Sequence, residues 1–300
     1  MKECHPEISQ APLLDLHWHR NYQILLGILQ RNFSVGRIEL GPAVSSLNRF
    51  GACPREDHLE LIKHVFGYLK YTEHHNRNIA IDSSPMYFER QEPNFLALRP
   101  DFLKEYPDAK EEVDPNFPAP YGHPLETTIL VDSDHAHDKK TRRSLTGLIV
   151  FVGSTPVTWM SKRQPTIASS TYAAKFSALR TATEEAINVR YCLRCLGVNI
   201  PTDGSCPTKV FGDNLRVIQS SANPGHDLSK KHVAISFHVV REAIAAGIIE
   251  SYWLRGEYNI SNIMTKQIPH AAFACHLQYI YWRPTWHLRD KNCLGQEFQN

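Results

Sequence analysis

The order of the periodic segments in the second half of the chain constrains its fold more than any other feature. A β-branched run at residues 127–132 is followed by two apolar segments, 145–152 and 157–161. A GlySerThrPro turn joins the last two segments, so they are predicted to form a hairpin. Three neighbouring strands are therefore expected at the start of this region.

Helices and strands alternate after the hairpin. Ser170 or Thr171 can cap a long helix that ends near Leu196, and the next residue is a glycine that can terminate it. The remaining patterns predict a strand, a helix and a strand at residues 208–213, 233–246 and 248–254. The predicted order is β-β-β-α-β-α-β, which is an α/β arrangement.

Composition divides the chain into four parts. Residues 1–85 contain two apolar stretches with helical spacing and are predicted to form a small helical segment. Residues 86–125 are rich in proline and acidic residues and are predicted to form a linker or surface loop. The α/β region spans 126–269, and 270–300 form a tail to which no pattern assigns a structure.

Composition also excludes several classes of protein. A formal charge of +2 with 16 histidines is no polyelectrolyte signature, so nucleic-acid binding must depend on local patches. No apolar stretch approaches the roughly 20 residues that cross a bilayer, and the first residues lack the apolar core of a signal peptide. Seven cysteines, an odd number, favour reduced thiols. We expect no membrane partner and an intracellular protein of the cytoplasm or nucleus, not a secreted one.

Five blocks of sequence, in order, carry a resemblance to a known family. They are residues 132–147, 156–171, PheGlyAspAsn at 211–214, 230–242, and AsnIleMetThrLys at 262–266. Together they resemble the ribonuclease H region of copia-type retrotransposon polyproteins. The resemblance implies a ribonuclease H-like mixed five-stranded sheet flanked by helices. The helical segment before it resembles the region that follows the reverse-transcriptase palm, and no polymerase palm is expected.

The resemblance also implies an active site. Family members carry aspartate, glutamate, aspartate and aspartate at four positions, where Mg²⁺ (or Mn²⁺) ions act on the RNA strand of an RNA/DNA hybrid by two-metal hydrolysis. Asp132 and Asp213 match two of these positions and are the implied metal ligands. Lys175 stands in place of the glutamate, and Asn262 in place of the last aspartate.

Both replacements weaken metal binding. A lysine ammonium about 4 Å from a divalent ion repels it by on the order of 8 kcal/mol at an effective dielectric of about 20. Lys175 is therefore expected to swing away or to lose its proton. Asn262 keeps an oxygen ligand but removes one negative charge. The sequence predicts a weakly bound metal and weak or absent catalysis.

Two further residues are lower-ranked candidates. Asp134 lies two residues from Asp132 on the same face of an extended strand and is a candidate ligand. The alternative, which we favour, is that it caps the strand end or pairs with a surface base. His238 could perform acid–base work near the leaving phosphate, but in a chain with 16 histidines an ordinary surface role competes.

Basic residues cluster near the predicted active face. Such clusters can contact the backbone of an RNA/DNA hybrid without sequence preference, whereas the alternative is ordinary surface charge. The candidate nucleic-acid-binding residues are Arg142, Arg143, Lys162, Arg163, Gln164, Lys230 and Lys231.

Three functions are compatible with the sequence. The first is an impaired ribonuclease H-like domain, which can also contact other products of the same polyprotein. The second is a non-catalytic module that keeps the shape and the basic face and binds RNA/DNA hybrids or other nucleic acids. The third is a decaying copy of the element without a function. Hybrid binding with a steep salt dependence and no cleavage would select the second.

Overall fold

The computed structural model describes residues 6–73, 78–86, 88, 95–226 and 233–281. The helices in these ranges are α1 (Leu16–Ser34), α2 (Gly41–Asn48), α3 (Glu56–Tyr71), α4 (Phe95–Glu105), α5 (Thr171–Cys195), α6 (Leu215–Ala222), α7 (Ala234–Ala245) and α8 (His270–Leu277). The strands are β1 (Thr127–Asp134), β2 (Leu145–Val152), β3 (Thr155–Arg163), β4 (Thr208–Gly212) and β5 (Ile249–Trp253).

The strands form one mixed sheet in the order β3-β2-β1-β4-β5. β1, β2 and β3 are antiparallel neighbours, and the turn between β2 and β3 contains Gly153 with a φ of +59°. β4 pairs parallel to β1, and β5 parallel to β4, so both need crossover connections, which α5 and α7 supply. The predicted mixed five-stranded sheet flanked by helices is confirmed.

Small side chains let α5 lie close against the sheet. Ser170 caps the helix by accepting a hydrogen bond from the Ala173 amide, as predicted. Alanines at a spacing of four residues are fully buried on the face toward the sheet: Ala174, Ala178, Ala182 and Ala186. The chain leaves the helix through Gly197, which has a φ of +78°. The first turns of α5 are thereby held over the end of β1.

The N-terminal helices pack against the edge strand β3. The Trp159 indole donates a hydrogen bond of 2.8 Å to the Phe33 carbonyl oxygen. A Cβ added to Gly41 would lie 3.1 Å from the Ser161 Cβ and 2.9 Å from the Met264 Cε, so the backbone of α2 approaches the sheet closely. The predicted helical segment is therefore part of the structure around the sheet edge.

The proline- and acid-rich stretch contains a helix that the sequence did not indicate. Phe102 of α4 is fully buried, and the buried Arg241 guanidinium lies 5.1 Å from its ring centroid. Arg241 also pairs with Glu105 at 2.7 Å. Pro100 inside the helix obscured its period, and the burial of Phe102 depends on a residue far along the chain. The expectation of a linker across 86–125 is wrong for the part that α4 occupies.

The predicted tail contains buried residues from His276 onward. Leu277 and Ile280 lie in the core, and the Tyr281 hydroxyl contacts the Glu39 carboxylate and lies 2.8 Å from the Gly36 carbonyl oxygen. Burial, together with the Glu39 charge, raises the pKa of Tyr281. Residues 282–300 lie outside the described residues. The chain after β5 therefore returns to the N-terminal helices.

Two expectations from composition can be compared with the structure. In the described ranges no helix is both long and apolar enough to cross a bilayer. Free thiols are found at Cys53, Cys192, Cys195 and Cys206. Cys275 is disulfide-bonded, so the expectation of reduced thiols is wrong at that position.

The segment after β5 packs closely against Gly147 of β2, and a substitution at this glycine tests that contact. Gly147 lies opposite Asp132 on β2, and an added Cβ would lie 2.5 Å from the Met264 Cβ and 2.7 Å from the Thr265 Cγ2. Gly147→Ala is expected to lower the free energy of unfolding by about 1–3 kcal/mol, because the segment after β5 must move away. Urea denaturation measures this value.

Gly67→Ala is the matched control. Gly67 lies on the exposed side of α3 with no atom within 4 Å of an added Cβ, so alanine there is expected to stabilise by about 0.5–1 kcal/mol. Equal effects of the two substitutions would contradict the described contact between β2 and the segment that contains Thr265.

Candidate functional site

Three charged side chains meet at the carboxyl ends of the central strands. Asp132 lies near the end of β1 and Asp213 follows β4, and because these strands are parallel neighbours their ends meet. Lys175, near the start of α5, reaches between them. Its ammonium donates to Asp132 Oδ1 and, at 2.5 Å, to Asp213 Oδ1. We call this arrangement the lysine bridge: Asp132, Lys175 and Asp213.

The Asp132 carboxylate is satisfied on both oxygens. Its Oδ2 accepts a hydrogen bond from the Thr265 hydroxyl and lies 3.5 Å from the Lys266 ammonium. Burial raises the pKa of Asp132, but the charges of Lys175 and Lys266 outweigh it and hold the pKa below its ordinary value. Burial lowers the pKa of Lys175, and the two carboxylates more than compensate, so it is raised. Asp132 and Lys175 are therefore both charged at neutral pH.

Lys175 does not behave as the sequence suggested. We expected it to swing away or to lose its proton, whereas it points between the two carboxylates and keeps its proton. The expectation considered the repulsion between the lysine and a metal and neglected the attraction between the lysine and both aspartates. In the lysine bridge the ammonium occupies the space between the carboxylates.

These residues do not fit a divalent metal ion. Asp132 and Asp213 converge as predicted, but a hard cation needs several oxygen ligands, and here their negative charge is already neutralised. The cavity beside the lysine bridge has a volume of about 10 Å³, room for about one water. Among the described residues there is no group of three or more histidine, cysteine or carboxylate side chains that could hold a metal.

Asn262 is partly satisfied in the same arrangement, since its Nδ2 has a partner and its Oδ1 is buried with no hydrogen-bond partner among the described residues. It is buried on the 3-10 turn Ile260–Met264 after β5, and its Nδ2 donates to the Gly256 carbonyl oxygen. Asp213 lies beside the same glycine, since a Cβ on Gly256 would be 3.6 Å from Asp213 Oδ2. An ionised aspartate cannot donate to a carbonyl, so the amide satisfies a contact that the family's carboxylate could not.

The two lower-ranked candidates, Asp134 and His238, pair with residues outside the lysine bridge. The Asp134 carboxylate pairs with His137 Nδ1 at 2.8 Å, which is the surface-base alternative we favoured. His238 on α7 is exposed, and its Nδ1 hydrogen-bonds with the Tyr106 hydroxyl at 2.7 Å. In the described part of the chain, neither hydrogen-bonds with a member of the lysine bridge.

Four of the predicted nucleic-acid-binding residues line one cleft. Its volume is about 400 Å³, and it contains Arg143, Lys162, Arg163 and Gln164. The Gln164 amide nitrogen is used internally, donating 2.9 Å hydrogen bonds to Thr146 Oγ1 and the Ala174 carbonyl oxygen.

The other three predicted basic residues do not line this cleft. Arg142 is exposed with a φ of +58° in the loop between β1 and β2. Lys230 and Lys231 lie outside the described residues.

Three residues at these sites were not singled out from the sequence. Thr265 and Lys266 end the AsnIleMetThrLys block that carried the resemblance, and both approach Asp132. Asp138 is buried and pairs with Arg49 at 2.8 Å and with Arg163 at 2.9 Å. The first two could have been found from the AsnIleMetThrLys block. The third depends on a contact between distant segments that no local pattern records.

The sequence of this chain is similar to segments of known polyproteins. No family model matches the sequence. The chain is 24% identical over 252 residues to the retrovirus-related Pol polyprotein from transposon RE1 of Arabidopsis thaliana, covering 84% of this chain and 14% of that protein. It is 24% identical over 272 residues to the corresponding RE2 polyprotein, covering 89% and 16%. The TNT 1-94 polyprotein of Nicotiana tabacum is 23% identical over 252 residues, covering 84% and 16%.

These relatives are retrovirus-related Pol polyproteins from plant transposons, and the chain is homologous to a segment of them. It spans about one sixth or less of their length.

Solved structures give weaker likenesses. The N-terminal RNase H domain of rv2228c from Mycobacterium tuberculosis aligns with 51% of this chain and 97% of its own, at 14% identity and a TM-score of 0.35. A foamy viral protease-reverse transcriptase in complex with RNA/DNA hybrid aligns with 56% of this chain and 23% of its own, at 14% identity and a TM-score of 0.32. The fold described above depends on strand order and direction, not on these scores.

Replacing Lys175 by a neutral residue tests the lysine bridge. Lys175→Met leaves the buried Asp132 beside Asp213 without its cation, and at pH 7 it is expected to lower the free energy of unfolding by about 3–5 kcal/mol. Lys266→Met is the control. Its side chain is 40% exposed and lies 3.5 Å from Asp132, so its loss is expected to cost below about 1 kcal/mol.

The free energy of unfolding is expected to change with pH in opposite directions in the natural chain and in Lys175→Met. In the natural chain the pKa of Asp132 is lowered and that of Lys175 raised, so the bridge stabilises between about pH 4 and about pH 10. This contribution is lost as pH falls through the lowered pKa of Asp132. In Lys175→Met, burial is expected to raise the pKa of Asp132, so the variant should gain stability from pH 7 to pH 5. Equal denaturation curves for natural chain and variant at pH 7 would contradict the bridge.

Proposed function

We propose that this chain is a ribonuclease H-like segment of a copia-type retrotransposon polyprotein that binds RNA/DNA hybrids without cutting them. The observation that carries the proposal is the position of the Lys175 ammonium between Asp132 and Asp213. A protonated lysine there replaces, by an internal positive charge, the cation that the carboxylates of this family hold. Asp132 and Asp213 are thus structural partners of Lys175 here.

Charge supports the loss of hydrolysis. The ammonium groups of Lys175 and Lys266 balance the two carboxylates, so little attraction for an added cation remains. A divalent ion about 4 Å from Lys175 would in addition be repelled by on the order of 8 kcal/mol. Mg²⁺ or Mn²⁺, which the resemblance led us to expect as a weakly bound ion, is proposed to enter only when Lys175 is replaced.

The satisfied contacts support a folded module over a decaying copy. Random loss of a catalytic carboxylate would leave unpaired charges in a buried site, which is strongly destabilising. Here Lys175 has two carboxylate partners, and Asn262 donates to a carbonyl that an aspartate could not satisfy. The lysine is therefore compatible with a metal-free site, in which Asn262 donates through Nδ2 and leaves its Oδ1 without a partner among the described residues.

The similarity to Pol polyproteins from plant transposons supports a wider setting for this proposal. The chain is proposed to include the region after a reverse-transcriptase palm, residues 1–85, followed by the ribonuclease H-like region to residue 269. Contacts with other products of the same polyprotein, and a location in the cytoplasm or nucleus, are part of the same proposal.

Hydrolysis of a labelled RNA/DNA hybrid in Mg²⁺ and in Mn²⁺ tests the proposal. The natural chain is expected to bind the hybrid and to leave it uncut. Lys175→Glu/Asn262→Asp introduces two acidic side chains, which with Asp132 and Asp213 makes four, and the variant is expected to cut the hybrid in a metal-dependent reaction. Adding Asp213→Asn to this double variant supplies the control, because it removes one of the four acidic ligands and should abolish the gain. Equal cutting by the natural chain and the double variant would overturn the proposal.

A further inference from the structure

A basic cleft lies between the N-terminal helices and the edge strand of the sheet. Its volume is about 400 Å³, and its walls come from α1 and α2 on one side and from β3 and the residues after it on the other. The polar side chains that line it are Gln30, Ser45, Asn48, Arg49, Arg143, Ser161, Lys162, Arg163 and Gln164. We call it the α2–β3 cleft.

Both walls are held in place by direct contacts. Trp159 of β3 donates to the Phe33 carbonyl oxygen of α1 at 2.8 Å. Ser161 lies against the backbone of Gly41 and donates to the Met264 carbonyl oxygen at 2.7 Å. Since neither wall can move without breaking these contacts, the spacing between the walls is fixed before a ligand arrives.

One buried carboxylate fixes two of the cationic side chains. Asp138 Oδ1 accepts hydrogen bonds of 3.0 Å from the backbone amides of Lys140 and Thr141. Its Oδ2 lies 2.8 Å from an Arg49 nitrogen and 2.9 Å from an Arg163 nitrogen. Arg49 comes from the end of α2 and Arg163 from the end of β3, so this single oxygen joins the two walls.

The cleft carries more positive than negative charge. Four cationic side chains line it, whereas the carboxylates that pair with them are Asp138 and, 3.8 Å from Arg49, Glu7. Arg143 and Lys162 have no carboxylate within 4 Å among residues 6–73, 78–86, 88, 95–226 and 233–281. A solvent-accessible, polar-lined cleft with two unneutralised cations and neighbouring amide and hydroxyl groups matches the chemistry of a phosphodiester backbone.

We propose that the α2–β3 cleft binds the sugar-phosphate backbone of a nucleic-acid strand, with Arg143 and Lys162 contacting phosphates and Arg49 and Arg163 held ready by Asp138. A concave cleft of this size suits a strand better than a flat anionic membrane. Gln164 at its end donates to the carbonyl of Ala174, next to Lys175, so this end of the cleft adjoins the start of α5. The inference rests on the proposed function and places its binding surface across two segments of the chain.

Titration of a fluorescent RNA/DNA hybrid at several salt concentrations tests the site. Arg143→Gln/Lys162→Gln is expected to weaken binding at least about tenfold and to lower the slope of log K against log salt by about 2, uniformly across hybrid sequences. Lys70→Gln/Lys104→Gln removes the same charge from exposed positions outside the cleft and should leave affinity and slope near those of the natural chain. Equal losses in the two variants would overturn the site.

A footprint on the natural chain avoids any folding defect of the variants. Acetylation of Lys162 is expected to be slowed by the hybrid, while acetylation of Lys70 and Lys104 proceeds unchanged; an unprotected Lys162 in a saturated complex overturns the site. Vesicles containing phosphatidylserine should give no protection, and protection by them alone would overturn the nucleic-acid assignment.

The outcomes separate the two proposals. A natural chain that cuts the hybrid, with binding lost in the cleft variant, would reject the non-cutting function and retain the cleft. A natural chain that binds without cutting, with binding unchanged in the cleft variant, would retain the non-cutting function and reject the cleft. A natural chain that does not bind the hybrid at all would reject both.

Discussion

The attraction between one ammonium group and two carboxylates is the interaction on which this structure depends. Parallel β1 and β4 bring Asp132 and Asp213 to the same sheet edge, and burial there makes two like charges costly. Any chain with this geometry needs a positive charge between them. In a two-metal nuclease the charge comes from solution, whereas here Lys175 supplies it from α5.

The fold and the hydrolytic reaction place different requirements on the site that Lys175 occupies. The sheet order, the position of α5 and the close approach of the segment after β5 to Gly147 need only that the carboxylates be neutralised. A lysine does that as well as a metal, but it cannot activate water or stabilise charge on a phosphate. Under the proposed function the fold persists while the reaction is lost, and nucleic-acid binding is assigned to the α2–β3 cleft.

The sequence predicted those features of the structure that depend on residues close together in the chain or on the family resemblance. The strand order in sequence, the Ser170 cap and the convergence of Asp132 and Asp213 follow from periodicity, capping and the resemblance. The direction of Lys175 did not, because its partners lie 43 and 38 residues away and were considered only as metal ligands. Tyr281 and Glu39, 242 residues apart, illustrate the same limit for the C-terminal residues. Contacts between distant segments decide burial and charge pairing, and one sequence without its fold does not record them.

Calorimetric titration with Mg²⁺ tests the central claim most directly, since it asks whether the space between the carboxylates is taken by the lysine or open to a metal. The natural chain is expected to give no saturable binding under conditions in which Lys175→Glu binds Mg²⁺ at a site that Asp213→Asn abolishes. Saturable binding by the natural chain that Asp213→Asn removes would contradict the account, because Lys175 would then be a displaceable neighbour of a metal site and not its replacement.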